Sequence, residues 1–353
     1  MARSLVPYAS LFLRRVLRKP TSLAQISTKT WTLCAAEETT VPPAIYLPES
    51  LARISGVMGD TTMEHELRRI HGGKVRHGAT RVHTVTRAHL IGGNLYAGAW
   101  KEPLLETAQR FPRRAEVWSA KSGALACSLY GSIYFGHWLR DDLPLTLAAE
   151  SLDIPVIVAR APYHHERGYR RLLDLERDTC TGAVFERLLV LEDVGQNSFK
   201  RRRYEELRAR LRSRFGQGRP GLVYLRRGVM GGREERTLLN AAEVERFLIC
   251  RGARVVDPDK MSAEEIVRET LGATVVLSME GSHKGHAIYA MADDAVLCAF
   301  QPPGRFNNVY KDYTDCAGMR YAFVTGRQGE AGFTLDTDDI ARTLDLVAER
   351  VAL

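Results

Sequence analysis

A doubly wound α/β architecture is the fold class this sequence predicts, and three observations carry that reading. Short apolar runs, Ile154–Val158, Leu188–Leu191, Leu222–Leu225 and Val275–Ser278, alternate with helical stretches. Strands separated by helices of that length imply a parallel sheet with crossover connections. Two polar clusters, Arg226-Arg227-Gly228 and Glu280-Gly281-Ser282-His283, fall directly after such strands. Ligands of open α/β sheets bind just outside the carboxyl ends of the strands. Finally, 353 residues exceed what one core organises and suggest two domains.

Taken in order, residues 1–50 read as an irregular N-terminal segment with a Pro-rich hinge at Val41-Pro42-Pro43. Its apolar run, Leu5 to Leu17, is too short to span a bilayer and is interrupted by Arg14 and Arg15. The charges follow the apolar run, the reverse of a signal peptide. A basic amphipathic helix lying on an anionic membrane surface fits Phe12, Leu13, Arg14, Arg15, Leu17, Arg18 and Lys19, with a packed terminal helix as the plainer reading. Between Glu64 and Trp100, glycine turns and the strand Val82–Thr86 suggest a small β-meander. Helices are expected over Gly136–Leu152, His164–Arg177 and Lys200–Phe215. The breakers Gly216-Gln217-Gly218-Arg219-Pro220-Gly221 mark the best linker. Domains are therefore placed at 51–215 and 216–335, with a final amphipathic helix at 336–353.

Composition narrows the function classes. The six cysteines lie at least 18 residues apart, so no CxxC motif and no compact disulfide framework is present. A reducing cytoplasm is the expectation. A net charge of +8 favours an anionic partner. Specific nucleic-acid binding is not expected: the run Lys200-Arg201-Arg202-Arg203 lacks an aromatic stacking platform and reads as a solvated helix face. His65, His71, His77, His83 and His89 recur every six residues. Six residues of strand span about 20 Å, too far for a shared ion, so no metal site is expected. HExxH, Walker-type, GxSxG and GxGxxG patterns do not occur.

Three constellations could carry chemistry. In Gly136-His137-Trp138-Leu139-Arg140-Asp141-Asp142, His137 and Asp141 are four apart and would share a helix face, a carboxylate orienting an imidazole base. Asp142 would face solvent or cap a neighbour, and a purely structural role for the whole turn is the competing reading. Arg226 and Arg227, with Arg233 and Asn240 downstream, could straddle a diphosphate with planar guanidinium forks. Glu280 could accept from sugar hydroxyls, Gly281 permits close backbone approach, Ser282 could cap the next helix, and His283 could contact a phosphate or sugar.

In this order and spacing the clusters resemble glycosyltransferase family 61. Gly136–Pro144 resembles the family's aromatic-His-Trp/Phe-Leu-x-Asp/Glu-x-Leu-Pro signature. Leu225–Gly228, with Arg233 and Asn240, resembles its arginine-rich donor-phosphate segment, and Val256–Pro258 and Leu277–Ser282 resemble its later strand ends. Many members carry His-Gly-Ala where this chain has Glu280-Gly281-Ser282. The resemblance covers roughly Tyr130 to Phe300. It implies a GT-B-like fold: two Rossmann-like domains facing a cleft, preceded by a small β-rich section. It further implies inverting transfer from a nucleotide-sugar donor to a glycan or lipid-linked glycan acceptor, with no cofactor and no obligatory metal. Asp141, or His137 polarised by it, would be the base. Arg226, Arg227, Arg233, Asn240, Glu280, Gly281, Ser282 and His283 would hold the donor. The lack of a signal points to the bacterial branch of capsule and surface-polysaccharide assembly, cytoplasmic or peripheral at the inner membrane face. The alternatives are a non-catalytic nucleotide- or glycan-binding scaffold and a GT-B-type nucleotide-sugar epimerase.

Overall fold

The computed structural model describes residues 5–17, 21–109, 118–227 and 236–351. The chain divides into two compact units, each made of two chain segments: 1–37 with 77–203, and 38–76 with 204–353. These differ from the sequence-expected domains. The Gly/Pro-rich stretch 216–221 is not the boundary; Arg219 N donates to Leu271 O at 2.8 Å, and Arg254 donates to the carbonyls of Arg219 and Pro220 at 3.0 Å each. The breakers form a pinned turn inside the second unit.

The first unit is built on one mixed sheet. Its strands are β1 (Lys29–Cys34), β2 (Thr80–Ile91), β3 (Asn94–Ala97), β4 (Trp100–Pro103), β5 (Trp118–Leu125), β6 (Pro155–Val158), β7 (Thr179–Cys180) and β8 (Ala183–Glu192). The order is β4-β3-β2-β8-β5-β6-β7, with β1 also on β2. β8 joins the two halves: it runs antiparallel to β2 and parallel to β5. The expected meander and the expected parallel strands are thus one sheet, because the twelve-residue β2 is long enough to pair with β1, β3 and β8. Val85, Leu90, Leu95, Phe185, Leu188 and Val190 form its main core.

Helix α1 (Val6–Leu17) packs on β3 and β4, with Pro7 and Ser10 buried and Val6 and Leu11 half-buried. Its outer face leaves Leu5, Tyr8, Phe12 and Val16 exposed. Among the described residues no helix is long and apolar enough to cross a membrane. Helix α2 (Leu143–Glu150) follows the signature segment, and α3 (Ser198–Phe215) runs from the first unit into the second. The reading of α3 as a solvated basic face fails: Lys200, Arg203 and Arg208 are buried. Buried cations require partners, and Arg203 donates to both Asp193 oxygens at 2.8 and 2.9 Å, while Arg208 donates to the carbonyls of Ile288 and Met291 and to Asp293.

The second unit holds a fully parallel sheet of β9 (Leu222–Leu225), β10 (Arg254–Val256), β11 (Val275–Met279), β12 (Val296–Gln301) and β13 (Arg320–Thr325), in the order β10-β9-β11-β12-β13. Side chains alternate between two cores. Val223, Leu225, Val276, Leu297 and Phe323 enter one, and Tyr224, Val275, Leu277, Val296 and Val324 the other. Helices α4 (Ala241–Cys250), α5 (Ala263–Thr270), α6 (Val309–Cys316) and α7 (Thr337–Val351) complete it. Strand order 2-1-3-4-5 is that of flavodoxin-like sheets, whose ligand crevice opens where the order reverses, here between β9 and β11.

Candidate active site

In the first unit the signature segment is helical without a break from Phe135 to Glu150, as expected from Gly136 onward, but the helix is not regular. A short turn at Phe135–His137 passes into a π-helical turn, Trp138–Asp142, closed by Leu143 N–H donating to Trp138 O, before α2 begins. Single π turns shift the register of side chains and recur at functional sites. His137 and Asp141 meet as the spacing predicts: Nδ1 lies 2.8 Å from Asp141 Oδ2. Burial pushes the Asp141 carboxyl up, but Lys200, the His137 hydrogen bond and Arg140 outweigh it and hold the group well below its ordinary value of 3.8. An ionised carboxylate only accepts, so Nδ1 carries a proton and donates, and Nε2 is the ring nitrogen left to face a substrate. Lys200, 2% exposed in its side chain, stands 3.4 Å from Asp141 Oδ1 and 3.8 Å from Asp193 Oδ2. Its position in a basic run hid it from sequence reading.

Asp142 turns the other way. It is buried and accepts from Ser128 Oγ at 2.7 Å, the same hydroxyl that caps the helix Leu129–Ile133. Asp142 therefore neither faces solvent nor caps a helix itself; it holds the Ser128 hydroxyl that does. Burial pushes its carboxyl up to about 7, with Asp141 adding to the rise and the Ser128 hydrogen bonds opposing it. The five sequence-spaced histidines include His65 and His71 on the helix Met63–His71 and His83 and His89 on β2. Among the described residues no group of His, Cys, Asp or Glu is arranged to hold a metal.

In the second unit the two strand-end clusters converge on the reversal point. Arg227 follows β9 and donates from Nη1 to the Glu280 carbonyl after β11 at 2.9 Å. Glu280 is 5% exposed, with Arg236 Nη1 3.7 Å and Arg305 Nε 3.6 Å from its Oε2. His283 Nε2 lies 2.7 Å from Ser278 Oγ, which itself donates to Leu225 O at 2.8 Å. Nε2 therefore donates, and the ring is neutral. Burial is the main reason its basicity falls well below the ordinary value, and the charges of Arg227, Lys284, His286 and Arg236 lower it further.

Gly281 has φ +144°, and a Cβ there would approach His283 Nδ1 to 3.1 Å, so the turn requires glycine. Ser282 does not cap an α-helix. The following element is a six-residue 3-10 turn, Ser282–Ala287, whose cap position is Gly281, too short to present a helix-terminal anion site. Ser282 instead accepts Tyr310 Oη at its carbonyl, 2.9 Å away. Arg226 is placed beside this cluster but is committed elsewhere: it donates to Glu245 Oε2 at 2.6 and 2.9 Å and to Asp257 Oδ2 at 2.9 Å, bracing β9 against β10. Asn240 ties the start of α4 to Leu335, donating to its carbonyl at 2.8 Å and accepting from its amide at 3.0 Å. Arg233 lies outside the described residues.

Sequence reasoning missed Arg236, Arg305 and Ser278. Only Ser278, a hydroxyl ending an otherwise apolar strand, left a local signal. No curated protein matches the chain. Residues 135–298 match the family model Glycosyltransferase 61. That span includes the His137–Asp141 pair and the Arg227–Glu280–His283 cluster, and over it the chain is similar to glycosyltransferases of that family.

Proposed function

We propose that this protein is an inverting glycosyltransferase that moves a sugar from a nucleotide-sugar donor to a glycan acceptor in polysaccharide biosynthesis. The observation that carries the donor assignment is the positive cluster at the strand-order reversal between β9 and β11. Arg227, Arg236, Arg305 and Lys284 are gathered there with one carboxylate, Glu280. Leaving-group charge grows as a nucleoside diphosphate departs, and fixed cations aimed at that charge lower the barrier. Guanidinium groups can do this without a divalent ion, which supports the metal-independent reading. His137 takes the acceptor hydroxyl proton on Nε2 while that oxygen attacks the anomeric carbon, and Asp141 holds the ring and stabilises the imidazolium that forms. Contact with an anionic membrane surface through α1 belongs to the same proposal, supported by its exposed apolar face beside Arg14 and Arg15. A lipid-linked acceptor and a place at the inner face of the membrane accord with that contact.

The test is a thermal-shift scan with UDP, GDP and CMP and their sugars, with and without EDTA. A rise in Tm with one nucleotide family that survives EDTA supports a metal-independent donor site and names the base. A cooperative melt unmoved by every nucleotide overturns the transferase reading.

A further inference from the structure

The aromatic residues around His137 divide into two sets. Trp138 and Tyr169, each 1% exposed, lie with Phe135 and Tyr163 behind the segment: Phe135 stacks on Trp138 with ring centroids 5.8 Å apart and meets Tyr163 edge-on at 5.6 Å. Tyr130 and Tyr134 point the other way, 61% and 47% exposed. Both rings flank the base, with centroids 5.4 Å and 5.8 Å from that of His137 and tilts of 34° and 47°. The backbone fixes the arrangement. Tyr134 N–H donates to Tyr130 O at 2.9 Å and Trp138 N–H to Tyr134 O at 3.0 Å, so Tyr130, Tyr134 and His137 fall on successive turns of one face. Gly131 lets the Tyr130 turn sit directly on Asp142, where a Cβ would overlap the carboxylate.

Exposed aromatic rings grouped beside a reactive side chain mark a binding surface. The electron-rich face of a phenol attracts polarised C–H groups, and its hydroxyl remains available at the rim. A pyranose supplies both complements: a face of C–H bonds and an edge of hydroxyls. A general base must also stand within hydrogen-bond reach of the proton it removes, so the group stacked here is the one whose hydroxyl reacts.

We propose that Tyr130 and Tyr134 are the acceptor-sugar subsite, on which a pyranose ring of a glycan stacks with one hydroxyl directed to Nε2 of His137. This rests on the glycosyltransferase reading above and gives it an acceptor chemistry: a carbohydrate recognised by its ring face.

The test is saturation-transfer NMR on the full chain with methyl glycosides of glucose, galactose, mannose, xylose and N-acetylglucosamine, alongside the UDP, GDP and CMP thermal shifts. The wild type is expected to label axial ring protons of at least one glycoside. Tyr130→Ala/Tyr134→Ala should lose that signal at least fivefold, and Tyr130→Phe/Tyr134→Phe should keep at least half of it. Nucleotide shifts should be equal in all three proteins. Because both side chains are exposed, the variants should melt like the wild type. No labelling of any glycoside by the wild type, or equal labelling by the alanine variant, overturns the subsite and leaves the nucleotide result standing. So does equal loss in the phenylalanine variant. Glycoside labelling that depends on the tyrosines, with no nucleotide shift in any protein, overturns the transferase reading and with it the acceptor role.

Discussion

At the scale of single residues, the two adjacent aspartates show how one turn assigns opposite chemistry to neighbours. Asp141 faces Lys200 and His137 and is held ionised, so it is a poor proton acceptor and a good orienter. The base is then His137. Replacing His137 by Ala should lower kcat by about 10²–10⁴ and leave the nucleotide thermal shift intact. Asp141→Asn should also cut kcat, and it should destabilise the fold by leaving buried Lys200 short of a counter-charge. Loss of nucleotide binding in H137A would sink the assignment. Asp142 carries the opposite sign. Its carboxyl rises from 3.8 to about 7, so the folded state binds the proton more tightly than the unfolded state. Stability from this group is full below its unfolded value and declines as pH climbs from 3.8 toward about 7. Asp142→Asn removes that dependence, and the variant should gain about 2 kcal/mol on the wild type between pH 5 and pH 8. Urea unfolding at the two pH values measures it, and an equal difference at both would show that Asp142 does not titrate there.

At the scale of elements, α1 is a helix with two apolar sides. One is used by β3 and β4, and the other, Leu5, Tyr8, Phe12 and Val16, meets solvent beside Arg14 and Arg15. Phe12→Glu/Val16→Glu should abolish sedimentation with vesicles containing phosphatidylglycerol and leave the melting temperature within a degree or two. Unchanged sedimentation would remove the membrane from the proposal. The sequence pointed to an amphipathic basic helix over Phe12 to Lys19, which shares only Phe12 with this stripe, and it placed β9 and β11 to within a residue. The signature segment was only half readable. The i, i+4 spacing placed His137 beside Asp141, but a period argument assumes a regular helix and cannot foresee a π turn. The same assumption put Ser282 at the head of an α-helix, where the chain makes a six-residue 3-10 turn. Arginine counts misled in another way. Neither Arg226, braced by Glu245 and Asp257, nor Arg236, beside Glu280, reveals its partner in the local sequence, since both pairings are long-range.

At the scale of the whole molecule, alternation gave the α/β class and the parallel sheet, but local breakers gave the wrong cut. A Gly/Pro cluster announces a turn and says nothing of what the turn packs on. Here the residues from 38 to 76, assigned by sequence partly to an irregular leader and partly to the first domain, complete the second unit instead. Ile45 N–H donates to Tyr321 O at 2.9 Å and its carbonyl accepts Phe323 N–H at 3.1 Å, a parallel bridge on the outer edge of β13. Ala44, Ile45 and Ile70 are fully buried in the two cores of this sheet. Buried Glu66 accepts the Asn308 amide at 2.6 Å, and Arg69 makes two hydrogen bonds with Asp312 at 2.9 and 3.0 Å. A fragment beginning at Gly216 would expose this apolar edge of the core and strand the Asn308 and Asp312 contacts. Exposing that apolar edge and leaving the Asn308 amide without Glu66 together cost several kcal/mol in a fold stable by only about 5–15. Residues 216–353 expressed alone should therefore lack a cooperative melt, and residues 204–353 co-expressed with residues 38–76, the whole second unit, should show one. If 216–353 melts cooperatively by itself, the segment is an ornament, and the boundary read from the breakers is the better description of how this protein folds.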